Sequence, residues 1–365
     1  MPLPFQSPPG QLCVLRLSAI GDVCHTLAVV RSIQTFWPQT NITWIIGALE
    51  ASLLGDIPGI EFIIFDKKKG WAAFAALRRT LRGRRFDALL DMQVALRASL
   101  ASLLITSPVR IGFDRARAKD LQWLFTNQRI AAQPREHALD ALFGFAQALG
   151  VREKILRWEI PLPDAARAFA QQHLPGEQAT LVISPCSSMR IRNWRNWSAQ
   201  RYAQVADHAV ERHGMRVLLT GGPTALEREV GAQIVRTAGH APHNLIGQTN
   251  LKQLLALLQR GTVLISPDSG PAHMATCVGT PVIGLYATSN PQRTGPYLSE
   301  RWVVNKYPQA LRADGGKNVE EVSWGRRVRS PDAMDLITVA EVTAKLDELM
   351  QARPLTSYRE DPHSR

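Results

Sequence analysis

Cysteine is scarce in this sequence of 365 residues: its four cysteines lie far apart and form no Cys-x-x-Cys pair. This spacing argues against a disulfide framework and a structural zinc site, and it favours a reducing compartment. Residues 1–10 are rich in proline and contain no basic segment followed by an apolar stretch, so we expect no signal peptide. The apolar stretch at residues 88–105 is interrupted by Asp91, Gln93 and Arg97 and is too polar to span a bilayer. We therefore expect a cytoplasmic protein whose membrane contact is peripheral.

Sequence motifs of several other protein classes are also missing. The chain has no Asp-x-Asp motif for a divalent ion on a diphosphate, no G-x-G-x-x-G dinucleotide fingerprint, no Walker A loop and no H-E-x-x-H. It lacks zinc-finger spacing, an aromatic RNA-binding motif and a long block of lysine and arginine, so no nucleic-acid partner is expected. The formal net charge is nevertheless +12. Such an excess favours phosphorylated substrates or an anionic membrane surface, or it reflects a generally basic proteome.

Short apolar runs alternate with longer amphipathic segments in both halves of the chain, which predicts an α/β fold with parallel sheets. In the first half, strands are predicted at 12–17, 41–46, 61–65 and 88–91, and helices at 23–36, 71–81, 95–104 and 137–149. In the second half, strands are predicted at 180–184, 215–220, 262–266 and 281–286, and helices at 199–212, 225–238 and 251–259.

The two halves are separated by the segment 159–163, where two prolines disfavour regular structure. We predict two Rossmann-like, doubly wound domains at 1–160 and 161–350, followed by a disordered tail at 351–365. Two such units predict a two-lobed enzyme with a cleft between the lobes. Because ligands of open α/β sheets bind beyond the carboxyl ends of the strands, the strand-to-helix loops are the expected sites of chemistry.

The first strand-to-helix loop, residues 18–22, ends in Asp22 at the mouth of a predicted helix. Asp22 is then either the N-cap of that helix or a carboxylate that takes a proton from an acceptor hydroxyl. His25 lies one turn further along the helix, where it could flank that carboxylate.

A second loop, residues 266–273, joins a strand to an apolar helix through small residues. Ser269, Gly270 and the amides that follow can approach a diphosphate at the helix N-terminus. Asp268 would repel phosphates, so its expected partners are ribose hydroxyls or the amides of its own loop. His273 either donates to a phosphate oxygen or packs against the sheet at the start of the helix.

Two further loops follow strands of the second half. Gly221 and Gly222 allow a nucleoside to lie close to the backbone, with Glu227 a turn later, and the alternative is a tight turn without a ligand. In the loop after the first strand of this half, hydroxyl residues precede Arg192 and Arg195. Guanidinium groups suit a diphosphate leaving group, and the alternative is a solvated basic loop.

Two of these segments resemble signatures of the ADP-heptose:lipopolysaccharide heptosyltransferase family. Arg16-Leu-Ser-Ala-Ile-Gly-Asp-Val-Cys-His-Thr-Leu27 resembles its opening signature, and Asp268-Ser-Gly-Pro-Ala-His273 resembles its second. The likeness runs from about Leu12 to Tyr297. It implies a glycosyltransferase-B fold with an N-terminal acceptor lobe and a C-terminal lobe for the nucleotide sugar. It also implies an inverting single displacement with Asp22 as the general base.

The resemblance assigns roles to further residues. The family's nucleotide contacts map onto Asp268, Ser269, Gly270, His273 and the pair Ser187 and Ser188. The basic residue before the family's Trp-Pro pair maps onto Arg195, with Arg192 as an alternative register. Arg195 stands where the family often has lysine, and Ser198 replaces the proline after Trp197. The acidic ribose contact of the family does not align cleanly, which leaves Glu227 as the candidate. Without an Asp-x-Asp motif, we expect no tightly bound metal and no other cofactor.

Basic side chains of the acceptor lobe are candidates for contacts with acceptor carboxylates and phosphates or with anionic lipid head groups. The alternative for each is a solvated charge. The acceptor set comprises His25, Arg97, Arg115, Arg117 and Lys119, and Lys67–Lys69 also lie in this lobe.

The predicted function is transfer of heptose from ADP-heptose to an anionic, lipid-linked acceptor, the inner core of lipopolysaccharide (Kdo–lipid A or a heptosyl acceptor). The predicted location is the cytoplasmic face of the inner membrane, with peripheral association. Two alternatives stay open. One is a transferase of the same fold that uses another nucleotide sugar, and the other is a non-catalytic protein that binds lipopolysaccharide precursors.

Overall fold

The computed structural model describes residues 5, 7–187 and 194–352 of the chain. Its contacts divide the chain into two compact units, Met1–Pro163 and Asp164–Arg365. Of the tail predicted at 351–365, residues 351 and 352 belong to the last helix, and the others lie outside the described part of the chain. None of the helices in the described ranges combines the length and the apolar character that a membrane span requires.

The first unit contains a six-stranded parallel sheet with the strand order β3-β2-β1-β4-β5-β6. Its strands are β1 (Gln11–Leu15), β2 (Asn41–Gly47), β3 (Ile60–Phe65), β4 (Ala88–Asp91), β5 (Val109–Gly112) and β6 (Gln128–Arg129). Its α-helices are α1 (Ile20–Phe36), α2 (Ala48–Leu54), α3 (Trp71–Thr80), α4 (Leu96–Ser102) and α5 (Ala138–Leu149), and short 3₁₀ turns span Lys67–Lys69 and Gln122–Leu124.

Strand β1 lies at the centre of this sheet, between β2 and β4. Leu15 at its carboxyl end is aligned with Ile45 of β2 and with Asp91 of β4. Four successive residues of β1, Leu12 to Leu15, have no exposed surface, as expected for a parallel strand covered on both faces. On one of these faces, side chains of α3 and α4 pack in the same core as Leu15. The loops after β1, β2 and β4 therefore meet at one edge of the sheet.

The second unit repeats this architecture with the strand order β12-β11-β10-β7-β8-β9, again with parallel pairing. Its strands are β7 (Thr180–Ile183), β8 (Arg216–Leu219), β9 (His243–Asn244), β10 (Val263–Pro267), β11 (Val282–Tyr286) and β12 (Val304–Asn305). Its α-helices are α6 (Asp164–His173), α7 (Ala199–His213), α8 (Ala225–Thr237), α9 (Leu251–Arg260), α10 (Gly270–Cys277), α11 (Pro291–Thr294), α12 (Tyr307–Gly315) and α13 (Val339–Ala352). Short 3₁₀ turns span Glu300–Trp302, Val319–Glu321 and Ala333–Leu336.

The predicted α/β class with two parallel, doubly wound sheets is confirmed. Differences occur at the ends of elements. Strand β1 ends at Leu15 rather than at residue 17, and α1 begins at Ile20 rather than at residue 23. Some whole elements were also not predicted. The edge strands β6, β9 and β12 were missed because two residues are too few to show an alternating pattern. The interior strand β5 and the helices α2, α6, α11, α12 and α13 were missed as well.

Candidate functional site

The loop between β1 and α1 holds Asp22 in a defined position. Ala19 is the N-cap of α1 and Asp22 is the third helical residue, so of the two alternatives for Asp22 the N-cap is excluded. Its carboxylate reaches back and accepts a hydrogen bond from the backbone amide of Ala19 at 3.1 Å, as the third helical residue does in a capping box. The carboxylate also lies 2.7 Å from a guanidinium nitrogen of Arg16. The Asp22 side chain remains 43% exposed.

Arg16 is itself fixed by the neighbouring strands. It is 8% exposed. One guanidinium nitrogen donates to the Met92 carbonyl after β4, while another pairs with Asp22. Its backbone carbonyl accepts from the indole of Trp44 on β2 at 3.1 Å. The cation beside Asp22 is therefore held by contacts from both sides of the central strand.

Gln93 fixes the backbone of the same loop. Its side-chain oxygen accepts from the amides of Leu17 at 2.6 Å and Ser18 at 3.1 Å. The carbonyl of Gln93 in turn accepts from the side-chain amide of Gln122 at 3.3 Å, and Gln122 is fully buried. Such supporting hydrogen bonds limit the freedom of the residues that they hold. The loop that carries Asp22 is thus rigidly supported.

Two buried carboxyl groups lie at this edge of the sheet. Burial raises the pKa of Glu50, which is 4% exposed in the first turn of α2, and the charge of Asp22 contributes to the rise. Burial raises the pKa of Asp91, at the end of β4, to about 7. Both carboxyl oxygens of Asp91 are buried without a hydrogen-bond partner in the described ranges. Gly47 completes this packing, since a Cβ there would collide with the Leu17 carbonyl.

The residues predicted to bind the acceptor have different environments. Arg97, Arg115 and Lys119 are exposed, and the guanidinium of Arg115 lies 5.4 Å from the ring centre of Trp123. His25 is only 5% exposed, and its ring packs beside that of His137.

Arg117 differs from the exposed members of this set because its guanidinium is engaged inside the unit. It pairs with the carboxylates of Asp114 and Glu136 and donates to the Ala131 carbonyl at 2.7 Å. Arg117 therefore holds the loop after β5, which makes it the weakest acceptor candidate among the four basic residues.

In the second unit, the loop between β10 and α10 contains another paired aspartate. Asp268 is 7% exposed, and its carboxylate lies 3.3 Å from a guanidinium nitrogen of Arg195. The same nitrogen donates to the Asp268 carbonyl at 2.9 Å. Arg195 was predicted to face a diphosphate, and the structure places it against this loop. Its charge therefore lies beside the N-terminus of α10.

The remaining residues of this loop are small and buried. Ser269 is the N-cap of α10, but its hydroxyl bonds to that of Ser266 at 2.7 Å and does not cap the helix. Gly270 is the first helical residue, and His273, one turn further, is 8% exposed. Because the Ser269 side chain does not cap the helix, the first amides of α10, apart from Pro271, which has no N–H, can serve an anion.

The loop after β8 is held by its own carboxylate. Glu227 accepts from the Gly222 amide at 2.9 Å and from the Thr224 hydroxyl at 2.6 Å. Thr224 is the N-cap of α8 and accepts from the Glu227 amide. These contacts make the segment from Gly221 to Glu227 a tight, capped turn. A tight turn was the alternative to nucleoside binding in the interpretation of Gly221 and Gly222. A ribose contact by Glu227 would use the remaining acceptor positions of the same carboxylate.

Ser187, after β7, is 1% exposed, and both its amide and its hydroxyl bond to the side-chain oxygen of Asn196 at 3.0 and 3.3 Å. Ser188 and Arg192, which were also predicted to bind the donor, lie outside the described residues. Because β7 lies directly between β10 and β8, the loops with Ser187, Asp268 and Gly221 emerge at one edge of the sheet.

Comparison with known proteins identifies the family. The sequence profile of glycosyltransferase family 9 (heptosyltransferase) matches residues 74–318. The lipopolysaccharide core heptosyltransferase OpsX of Haemophilus influenzae is 42% identical over 349 residues, which cover 96% of this chain and 99% of that protein. The chain belongs to glycosyltransferase family 9. Membership of this heptosyltransferase family shows that the chain is a glycosyltransferase, which confirms the prediction.

Solved structures of heptosyltransferases share the fold of this family 9 member. The family 9 glycosyltransferase from Veillonella parvula has a TM-score of 0.78 at 22% identity, covering 94% of this chain and 98% of that one. The heptosyltransferase WaaC of Escherichia coli, solved with ADP, has a TM-score of 0.70 at 18% identity, covering 93% and 99%. The predicted glycosyltransferase-B fold is thereby confirmed.

Several residues at the two sheet edges of this heptosyltransferase were not predicted. In the first unit, Glu50 and Asp91 were missed, although an acid at the end of a strand or in the turn after it is a usable signal. In the second unit, Thr220, Ser289 and Asn290 each bury a polar side-chain atom that has no partner in the described ranges. The polar run after β11, which ends in Ser289 and Asn290, could have pointed to that loop.

Proposed function

We propose that this heptosyltransferase transfers heptose from ADP-heptose to the inner core of lipopolysaccharide, with Asp22 as the general base. The relative with 42% identity is named a lipopolysaccharide core heptosyltransferase, which supports the acceptor class. The observation that carries the catalytic proposal is the environment of Asp22, whose carboxylate is 43% exposed yet fixed by Arg16 and by the Ala19 amide.

A general base must be ionised, reachable by substrate and held in place. The guanidinium of Arg16 lies 2.7 Å from the Asp22 carboxylate and holds it in place, and the 43% exposure of the Asp22 side chain lets an acceptor hydroxyl reach it. In the proposed step, that hydroxyl oxygen attacks the anomeric carbon of the donor while its proton passes to Asp22. The bond from the anomeric carbon to the diphosphate oxygen breaks, and ADP leaves with the electron pair.

The donor is proposed to lie on the second unit. The uncapped amides at the start of α10 favour the negative charge of a diphosphate, and His273 would donate to a phosphate oxygen. Ser187, Ser188 and Arg192 are proposed as further phosphate contacts. Arg195 would contribute its positive charge without contacting the diphosphate directly, because its guanidinium is bonded to Asp268. With this cationic set we propose that departure of ADP needs no tightly bound metal.

The remaining donor contacts concern the nucleoside. Gly221 and Gly222 are proposed to let it approach the backbone after β8, and Glu227 and Asp268 are the carboxylates proposed for the ribose hydroxyls. The Glu227 carboxylate is positioned by contacts within its own loop, and the Asp268 carboxylate is positioned by Arg195. Ordered acceptors of this kind restrict how a ribose can bind.

The acceptor is proposed to reach the first unit from the cytoplasmic face of the inner membrane, with which the protein associates peripherally. Helix α4 supports this proposal because Leu96, Leu100 and Leu103 are 52%, 36% and 63% exposed, and Arg97 lies on the same helix. Apolar side chains beside a cation suit an anionic lipid surface. Arg115 and Lys119 are the proposed contacts for anionic groups of the acceptor, and His25 would act from beneath the surface.

The deciding experiment measures ADP release from ADP-heptose with and without a lipopolysaccharide acceptor that lacks heptose, in the wild type and in Asp22→Asn. Acceptor-dependent release that Asp22→Asn abolishes supports the donor, the acceptor and the base. If the protein binds ADP but releases none from ADP-heptose, either the proposed sugar or the proposed acceptor is wrong. A panel of nucleoside diphosphates in calorimetry separates a preference for another nucleotide from an absence of nucleotide binding.

A further inference from the structure

Two histidines of α7 and one aspartate of α13 form a cluster away from the loops described above. The Nε2 atom of His208 lies 2.7 Å from the Oδ1 atom of Asp347, and the Nε2 atom of His213 lies 2.6 Å from the same oxygen. The two imidazole rings meet edge to face with centres 5.7 Å apart. One ligand atom from each of the three residues lies within 4.8 Å of the others.

The partners of Asp347 are unlike those of its neighbour on α13. Glu348 pairs with the permanent cations Lys345 and Arg301. Among the described residues, the partners of Asp347 are two imidazoles, which are charged only when protonated. Partial burial raises the pKa of Asp347, but the hydrogen bonds from both histidines outweigh it, and the net pKa lies below its ordinary value. The cluster thus combines one carboxylate with two imidazoles, which are ligand types that bind divalent metal ions.

The distances are close to those of a coordination sphere. Zinc binds imidazole nitrogen at about 2.0–2.1 Å and carboxylate oxygen at about 2.0–2.2 Å, so tetrahedral ligand atoms lie about 3.3 Å apart. Moving each Nε2 atom away from Oδ1 by about 0.6 Å would therefore admit an ion, which is within the reach of side-chain rotation. The side chains of His208, His213 and Asp347 are 29%, 14% and 32% exposed, so an ion can enter from solvent.

We propose that His208, His213 and Asp347 form a binding site for a divalent transition-metal ion of the zinc type. Two imidazoles and one carboxylate suit zinc, cobalt or nickel better than magnesium or calcium, which prefer oxygen ligands alone. Water would fill the remaining coordination position.

The site is structural and not part of the transfer reaction. Helix α7 starts after the β7 loop that contains Ser187 and ends at His213, just before β8 begins at Arg216. The cluster therefore lies near the end of the sheet opposite the strand-to-helix loops. Because α7 and α13 pack together, a bound ion would join these helices across their shared core. Binding to the folded state alone would stabilise this unit.

The test uses the full chain after treatment with a chelator. Added zinc is expected to bind at one ion per chain and to raise the Tm by several degrees, and cobalt is expected to give visible absorption bands of a low-symmetry site. Asp347→Asn keeps the shape of the side chain but removes the anionic ligand, and it should abolish both signals. His208→Gln provides a second disruption, and retained ADP binding and circular dichroism show that either variant is folded.

His243→Gln is the matched control. His243 and His173 also lie together, with 2.9 Å between ring nitrogens, but the described contacts of this pair include no carboxylate. The control should keep the zinc-dependent rise in Tm and the cobalt bands. The proposal is overturned if zinc leaves the Tm of the wild type unchanged, or if His243→Gln abolishes the signals while Asp347→Asn retains them. Equal zinc binding by all variants would also overturn it.

Discussion

In each unit, an aspartate in the loop between a central parallel strand and the following helix pairs with an arginine, yet the two pairs differ in exposure. In the pair after β1, the Asp22 side chain is 43% exposed and that of Arg16 is 10% exposed. In the pair after β10, the side chains of Asp268 and Arg195 are 9% and 12% exposed. An aspartate–arginine pair therefore leaves the carboxylate accessible to solvent in one unit and encloses it in the other.

This difference indicates how each pair is used. Asp22 is held by Arg16 and the Ala19 amide while its side chain is 43% exposed, which suits a group that must exchange a proton with a bound hydroxyl. Asp268 is bonded to Arg195 through both its carboxylate and its backbone carbonyl, which suits a group that fixes the loop at the start of α10. Sequence signatures name both aspartates, but exposure distinguishes the carboxylate proposed as the base from the carboxylate that Arg195 encloses.

The largest effect is expected from Asp22→Asn, which removes the base but keeps the size of the side chain. The kcat for acceptor-dependent ADP release should fall by about 10²–10⁴-fold, because general-base catalysis has this magnitude. The KM for the donor should change little. Steady-state kinetics check this, with Asp268→Asn as the control that should affect donor KM more than kcat. Near-normal turnover by Asp22→Asn would remove Asp22 from the mechanism.

The second prediction concerns the enclosed pair. Arg195→Ala leaves the Asp268 carboxylate buried without its cation, which should lower the free energy of unfolding by about 3 kcal/mol. The control is Arg236→Ala, whose pair with Glu229 has side chains that are 62% and 67% exposed. That change should cost less than about 1 kcal/mol. Denaturant unfolding measures both, and equal losses would show that enclosure does not distinguish these pairs.

The third prediction uses Asp91, the fully buried carboxyl group beside the Asp22 loop. Because burial raises its pKa to about 7, the folded state binds a proton that the unfolded state releases at lower pH. This contribution to stability is complete at low pH and is lost as the pH rises towards 7. Between pH 5 and pH 8 the wild type should lose about 2 kcal/mol relative to Asp91→Asn. The free energy of unfolding of both proteins is measured across this pH range. If the two curves run parallel, Asp91 is not the source of the pH dependence.

Sequence reasoning predicted the parallel sheets well because the central strands are continuous apolar runs, as in β1 and β10. It also found both strand-to-helix loops from Asp22 and from the segment that begins at Asp268. It could not find the support of these loops, because Gln93 and Leu17 are far apart in sequence and meet only through the pairing of β1 with β4. The pairing of Arg195 with Asp268 likewise depends on neighbouring strands. The exposure of Asp22 and Asp268 depends on the residues that meet at the edge of the folded sheet, so it could not be predicted from the sequence.

The smallest effect is expected from single exposed cations for which the described residues show no ion pair, and these extend the comparison beyond the two paired aspartates. Arg97→Ala and Lys119→Ala should each weaken binding to vesicles with anionic phospholipids by about fivefold, because one surface cation contributes about 1 kcal/mol. Arg117→Ala is the matched control: its guanidinium is paired with Asp114 and Glu136, so this change should lower the Tm and leave vesicle binding nearly unaltered. Sedimentation with vesicles at two ionic strengths measures the difference. If Arg117→Ala weakens binding as much as Arg97→Ala does, internal pairing does not decide which cations reach the membrane.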